Sequence, residues 1–220
     1  MTIPKICFKQ RVCNTVSSLA SPYYDYFVKY DYLLCSPAFK KRPYYIVSAE
    51  KNNYQHLTGV SYASSAEDFF DRCLDGTLTE ADISFSKSGR SEAEIKGSVR
   101  RKINSLPSII GIFSGPCSVE EDFSKNRIFC SFAAANTACT LGFTFAANTK
   151  PMTLLNGNQL KDSSAKPLTL VLRRKRRECF FTDMIIGDEE ALSVYLSESK
   201  EILSDHLKSM ISTVSTRKMP

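Results

Sequence analysis

Apolar positions divide the chain into a helix-periodic first half, a strand-rich middle and a helical tail. In SPYYDYFVKYDYLLCSP, Tyr23, Tyr26, Phe27, Tyr30 and Leu34 recur at helical spacing, with Pro22 and Pro37 placed as start and stop. An amphipathic helix is expected there. After the basic FKKRP, Tyr44 to Val47 read as a short strand and EKNNYQ as a turn. SSAEDFFDRCLDG carries a complete helix signature: Ser64 or Ser65 as cap, Glu67 and Asp68 at the positive end, Phe69, Phe70, Cys73 and Leu74 as the buried stripe, and Gly76 as the stop. TLTEADISF adds a short helical turn. In SGRSEAEIKGSVRRKINSLPSI, Ile95, Val99 and Ile103 repeat every four residues, Lys96, Arg100, Arg101 and Lys102 take the remaining surface, and Pro107 ends the helix.

From Ile109 to Ile186 the period changes to that of strands. IIGIFSG, RIFCSFAAA, ACTLGFTFAA, MTLLNG, LTLVLRRK and CFFTDMIIG are short, rich in β-branched or aromatic residues, and separated by Gly, Pro, Asn and Asp. No helix-length segment intervenes, so the sheet is expected to be mainly antiparallel. Beyond it, Leu192, Tyr195, Leu196, Ile202, Leu203, Leu207 and Ile211 give one or two helices an apolar face. The expected architecture is α+β: N-terminal helices packed on a mainly antiparallel β-sheet, followed by a C-terminal helical segment. Residues 1–187 are read as one domain and 188–220 as a helical extension packed on it.

Composition narrows the class. With 43% hydrophobic and 24% charged residues, the 220-residue chain is an ordinary globular protein with enough length for one sizeable core. Its net charge of +6 favours a polyanionic partner only weakly. The opening residues lack an apolar signal core, and no window approaches the ~18 apolar residues of a membrane span. The eight cysteines include no CxxC pair and most sit in apolar runs, so they are expected as reduced core thiols in a cytoplasmic protein. No metal or cofactor site is expected. GxGxxG, GxxxxGK[ST], HExxH and GxSxG are all absent, which removes the commonest nucleotide loops, zinc proteases and serine hydrolases.

Three groups of residues remain for chemistry. LRRKRREC places Arg173, Arg174, Lys175, Arg176 and Arg177 consecutively at the end of a strand. Like charges so close repel one another unless a polyanion answers them, although a solvated hairpin turn is the plainer reading. Lys40, Lys41 and Arg42 form a second basic group, accompanied by Phe39, Tyr44, Tyr45 and Tyr54; cations with aromatic rings suit stacking on bases beside a charged backbone. The third group is YQHLTG. His56 can move a proton near neutral pH, and on an extended segment Thr58 would point to the same side, with Gly59 allowing close backbone approach. The chain's other histidine, His206, lies among leucines and lysines and is read as structural. Cleaving RNA needs a base for the 2′-hydroxyl, an acid for the leaving 5′-oxygen and cations for the charge between.

The run YYIVSAEKNNYQHLTGVSYASSAEDFFDRCLDGTLTEADI resembles the phage-associated Barnase–EndoU–ColicinE5/D–RelE-like nucleases, in particular their fourth subgroup. The shared order is a tyrosine-rich strand, F/Y-x-H-L-T-G, a helix with A-x-x-F-(F/Y)-x-x-(C/L), then G-x-L-x-x-x-D-I. IIGIFSG, PMTLLNG and LTLVLRRKRRE resemble later elements, so the likeness spans residues 20–185 and is strongest over 44–83. It implies an α+β fold and metal-independent ribonuclease activity in a phage or mobile-element setting, as a toxin or effector. His56 and Thr58 then fall on the family motif, Lys175 or Arg173 would stabilise charge, and Thr153 and Tyr45 are further candidates. The basic residues would bind RNA, and the tail would cover the sheet, mediate a homo-oligomer or meet an antitoxin-like protein. Two other readings stay open: a nucleic-acid-binding or inhibitor protein of the same fold without chemistry, and a basic protein–protein interaction module.

Overall fold

The computed structural model describes residues 6–146 and 148–217. Among the described residues, six α-helices and four mainly antiparallel sheets make up an α+β fold. No helix among the described residues is long and apolar enough to cross a membrane.

Helix α1 spans Phe8–Tyr23 and continues as a π-helical turn, Tyr24–Val28. The change falls just after Pro22, which has no amide hydrogen to continue the helical ladder. The expected helix over residues 22–37 is therefore displaced: its second half is a strand, Tyr30–Cys35. Helical spacing misled here because both faces of that strand are buried. Tyr32 and Leu34 enter the main core, whereas Leu33 and Cys35 enter a second one, so no polar alternation marks the pleat.

This strand pairs with Tyr45–Val47 on one side and Leu170–Lys175 on the other; Asn148–Thr149 and Asp183–Ile186 complete a five-stranded sheet. A second five-stranded sheet runs Pro151–Asn156, Cys139–Phe143, Phe132–Ala135, Ser118–Glu121 and Lys166–Pro167. Among the described residues every pairing of two strands is antiparallel except Asn148–Thr149 against Tyr45–Val47. IIGIFSG is not a strand. After the 3₁₀ turn Leu106–Ile109, Ser114 donates to the Gly111 carbonyl at 2.8 Å and closes a tight turn. Conversely, Ser118–Glu121 is a strand whose charged residues gave no apolar run to detect.

Helix α2 (Asn53–Thr58), α3 (Ala66–Leu74) and α4 (Glu92–Ser105) follow their local signals closely. Ser65 caps α3, and Ser91 with Glu94 forms a reciprocal capping box on α4. TLTEADISF is a turn rather than a helix: Asp82 accepts from the Thr79 amide and hydroxyl at 2.7 and 2.6 Å before the short strand Ile83–Ser84. The tail forms α5 (Glu189–Leu196) and α6 (Asp205–Arg217). Leu192, Leu196, Leu203, Leu207 and Ile211 pack with Leu33, Cys35, Leu170 and Leu172, so the tail's apolar face covers one side of the first sheet. All eight cysteines are unpaired thiols, six of them buried.

Candidate nuclease site

YQHLTG does not lie on an extended segment; it forms helix α2 and its C-terminal cap. Residues two apart on a helix point to different sides, and Thr58 turns inward. It is fully buried, donates to the Gln55 carbonyl at 2.8 Å and accepts from the Val60 amide at 3.2 Å. Its hydroxyl thus closes the helix end, while the exposed His56 faces a hollow of about 530 Å³.

Elements far apart in sequence build that hollow. Helix α2 brings His56, α4 brings Ser98 and Lys102, the turn after Ile83–Ser84 brings Lys87 and Arg90, and the edge strand Pro151–Asn156 brings Thr153. Ser61 and Tyr62 form a further wall. This wall is braced from outside: the Tyr62 hydroxyl donates to Asp68, and Arg72 bridges to Asp82 at 2.7 Å and to the Tyr62 oxygen at 3.4 Å. Asp82 and Ile83 of the G-x-L-x-x-x-D-I stretch act here as scaffold, since Ile83 also pairs with Tyr62.

Among the described residues the lining contains Lys87, Arg90 and Lys102, one imidazole and several hydroxyls, but no carboxylate. Lys102 is the most perturbed of these groups. Its ammonium donates to the His56 carbonyl at 2.7 Å, at the negative end of α2. Burial, reinforced by the charge of Lys87, lowers its pKa to about 8. Gly59 makes room for it. The glycine has φ of +73°, and an ideal Cβ there would lie 2.9 Å from the Lys102 side-chain Cδ.

The depressed Lys102 pKa gives a stability prediction. An unfolded lysine holds its proton to ~10.4, whereas the folded one releases it near pH 8. Between those values the unfolded state binds more protons, so stability rises with pH. Urea unfolding at pH 7 and 9.5 is expected to show the wild type gaining about 1–2 kcal/mol relative to Lys102→Met. An unchanged difference would mean that the ammonium is not desolvated. Gly59→Ala is expected to cost ~1–2 kcal/mol from its left-handed backbone and to displace Lys102, measurable in the same assay.

Of the five catalytic candidates, His56 and Thr153 line the hollow together; Thr58, Tyr45 and Lys175 do not line it. Tyr45 is buried and donates to Glu121 at 2.6 Å, and burial with that carboxylate pushes its pKa up. Lys40, Lys41 and Arg42 are exposed near it; Lys41 pairs with Asp122 at 2.7 Å, and Arg42 lies over the Tyr45 ring. Tyr54 is buried beneath α1, donating to the Val16 carbonyl at 2.7 Å, so its ring is not free to stack on a base.

The basic strand carries its own counterions. Arg173 bonds Asp183 at 2.8 Å and covers the Tyr30 ring; Arg174 bonds Asp31 at 3.2 Å; Arg176 reaches Asp31 at 3.9 Å and Glu50 at 3.6 Å. Lys175 and Arg177 are exposed beside Tyr24 and Tyr30 in a separate hollow of about 690 Å³ that shares no lining residue with the His56 hollow.

Lys87, Arg90 and Lys102 escaped the sequence reading. A signal existed for Lys102: it lies three residues after Val99 and beside Ile103, at the edge of the buried stripe, where a lysine stem is partly covered.

No curated protein and no solved structure gives a significant match to the chain. A family model does: that of phage-Barnase-EndoU-ColicinE5/D-RelE like nuclease4 covers residues 15–195, from within α1 through both five-stranded sheets and nearly all of α5. The span includes every wall of the His56 hollow, and the chain belongs to this nuclease family.

Proposed function

We propose that the chain is a metal-independent endoribonuclease whose scissile phosphate sits in the His56 hollow. The observation that carries this reading is one exposed imidazole placed among three cations, with no carboxylate among the described residues of the lining. Such a lining repels neither a phosphate nor the additional charge of its five-coordinate transition state. It also supplies, through Lys87, Arg90 and Lys102, the positive charge that a divalent ion would otherwise bring.

In this mechanism His56 takes the proton of the ribose 2′-hydroxyl, whose oxygen attacks the adjacent phosphorus. The bond to the 5′-oxygen breaks, leaving a 2′,3′-cyclic phosphate, and the leaving oxygen receives a proton from Lys102. A lysine with a pKa of about 8 is protonated at pH 7 yet far more acidic than an ordinary ammonium. Thr153 and Ser98 are hydroxyl donors suited to the non-bridging phosphate oxygens.

The test is incubation of a short RNA with the protein in EDTA, with detection of cyclic-phosphate ends. Replacing the scissile ribose by deoxyribose is expected to stop the reaction. No cleavage with or without divalent ions would overturn the enzyme reading and leave an RNA-binding protein of the same fold.

Binding has its own expectation. For single strands each phosphate contact contributes about 0.7 to the slope of log K against log salt. Lys87→Gln with Arg90→Gln should therefore flatten the slope by ~1.4, measured by fluorescence anisotropy. The pair Lys175→Gln and Arg177→Gln tests whether the second basic hollow also grips the strand; an unchanged slope would make it a solvated turn.

A further inference from the structure

Beside the His56 hollow lies a second one of about 530 Å³, and Arg90 lines both. Its floor is aromatic: Phe8, at the start of α1, meets Phe85 with ring centroids 5.3 Å apart. Phe85 is buried, whereas Phe8 is half-buried. Lys9, Arg90 and Lys96 stand around this floor, and the one carboxylate of the lining, Glu92, is engaged by Lys96 at 2.7 Å. Two exposed guanidiniums already use the Phe8 ring, Arg11 at 5.4 Å and Arg100 at 5.0 Å from its centroid. Both are exposed side chains that can swing aside, and a planar, electron-rich heterocycle suits the ring face they cover and the cations that would then flank it.

We propose that the Phe8–Phe85 hollow is a nucleobase subsite, receiving by stacking the base of a nucleotide next to the phosphate held in the His56 hollow. This rests on the nuclease reading and extends it to the substrate: an unpaired strand whose base can leave a helical stack. Arg90 supplies the continuity, because a single side chain at the border of both hollows can hold the phosphate that joins the two nucleotides. The site recognises any base by its flat face, so it contributes affinity and register rather than sequence preference.

The experiment measures binding of a 2′-O-methyl tetranucleotide, which cannot be cleaved because its nucleophilic oxygen is capped. It is compared with analogues lacking the base at one position in turn. Phe8→Leu keeps an apolar contact with Phe85 but removes the stacking face. It is expected to weaken the intact oligonucleotide about 5- to 150-fold. For one abasic analogue it should make no difference, since the stacked base is already missing. Phe8→Tyr, which restores an aromatic face, should bind like the wild type. Equal weakening of every analogue, no weakening of any, or no binding by the wild type at low salt would overturn the subsite. Because nothing in this experiment is cut, a protein that stacks the base but cleaves no RNA would refute the nuclease reading alone.

Discussion

His56→Ala is expected to slow RNA cleavage by about 10²–10⁴-fold, the usual contribution of a positioned proton-transfer group. Affinity for a non-cleavable RNA should be almost unchanged. The separation is expected because His56 is exposed on α2 and its imidazole is not needed to close the helix; Thr58 and Gly59 do that. Lys102→Ala should cost about 10²–10³-fold through loss of transition-state charge. It should also weaken binding, which distinguishes a cation on the phosphate from a pure proton carrier. The pH profile separates Lys102's two roles. As a proton donor it must be charged, so the wild-type rate should fall as pH rises through about 8. Lys102→Arg retains a cation that does not titrate in this range, so the fall near pH 8 should vanish even if the rate is lower. If both groups serve one step, His56→Ala with Lys102→Ala will lose less than the two losses combined. Unaltered cleavage by His56→Ala would remove the imidazole from the mechanism.

How much of this was legible in the sequence depended on whether the signal was local. Helices α3 and α4 were readable because their caps, charged first turns and apolar stripes all lie within one helix length. Most strands of the second half were readable from composition instead, as short runs rich in β-branched or aromatic residues between Gly, Pro, Asn and Asp. Tyr30–Cys35 was not, since burial on both faces erases the period that distinguishes a strand from a helix. Within the candidate site, His56 and Thr153 could be singled out by residue type and motif, whereas their cationic neighbours could not. Lys87, Arg90 and Lys102 look like any solvated lysine or arginine until the turn and α4 fold against α2. The opposite error concerns the basic run. In a local window its five charges appear uncompensated, because Asp31 and Glu50 come from more than one hundred residues away. Topology supplies them: Asp31 stands directly opposite Arg174, and Asp183 opposite Arg173, on the two neighbouring strands.

That arrangement makes Asp31→Ala the substitution expected to damage the fold most. Asp31 is only 6% exposed and accepts from the Ser48 hydroxyl at 2.7 Å and from Arg174 at 3.2 Å, with Arg176 at 3.9 Å. Removing one partner of a buried ion pair leaves the other charge desolvated and uncompensated, at a cost of about 3–5 kcal/mol. Arg176 keeps the Glu50 carboxylate and the Ala49 carbonyl, whereas Arg174 keeps the Cys179 carbonyl and the Phe181 ring but loses its ion pair, so Arg174 suffers the larger loss. For a chain of this size each kcal/mol lowers Tm by ~2–4 °C, so calorimetry should record a fall of about 6–20 °C. Asp31→Asn should lose less, since its amide oxygen can accept from Arg174 in the place of one carboxylate oxygen while its amide nitrogen donates to the Ser48 hydroxyl in the place of the other. Combining Asp31→Leu with Arg174→Met should recover most of the stability, because an apolar pair of similar volume has no charge to desolvate. RNA binding discriminates the two roles open to the basic strand. If its arginines grip phosphate, Asp31→Ala frees them and affinity rises at low salt while Tm barely moves. If they hold the first sheet together, Tm falls by the larger amount and the affinity of the still-folded protein stays where it was.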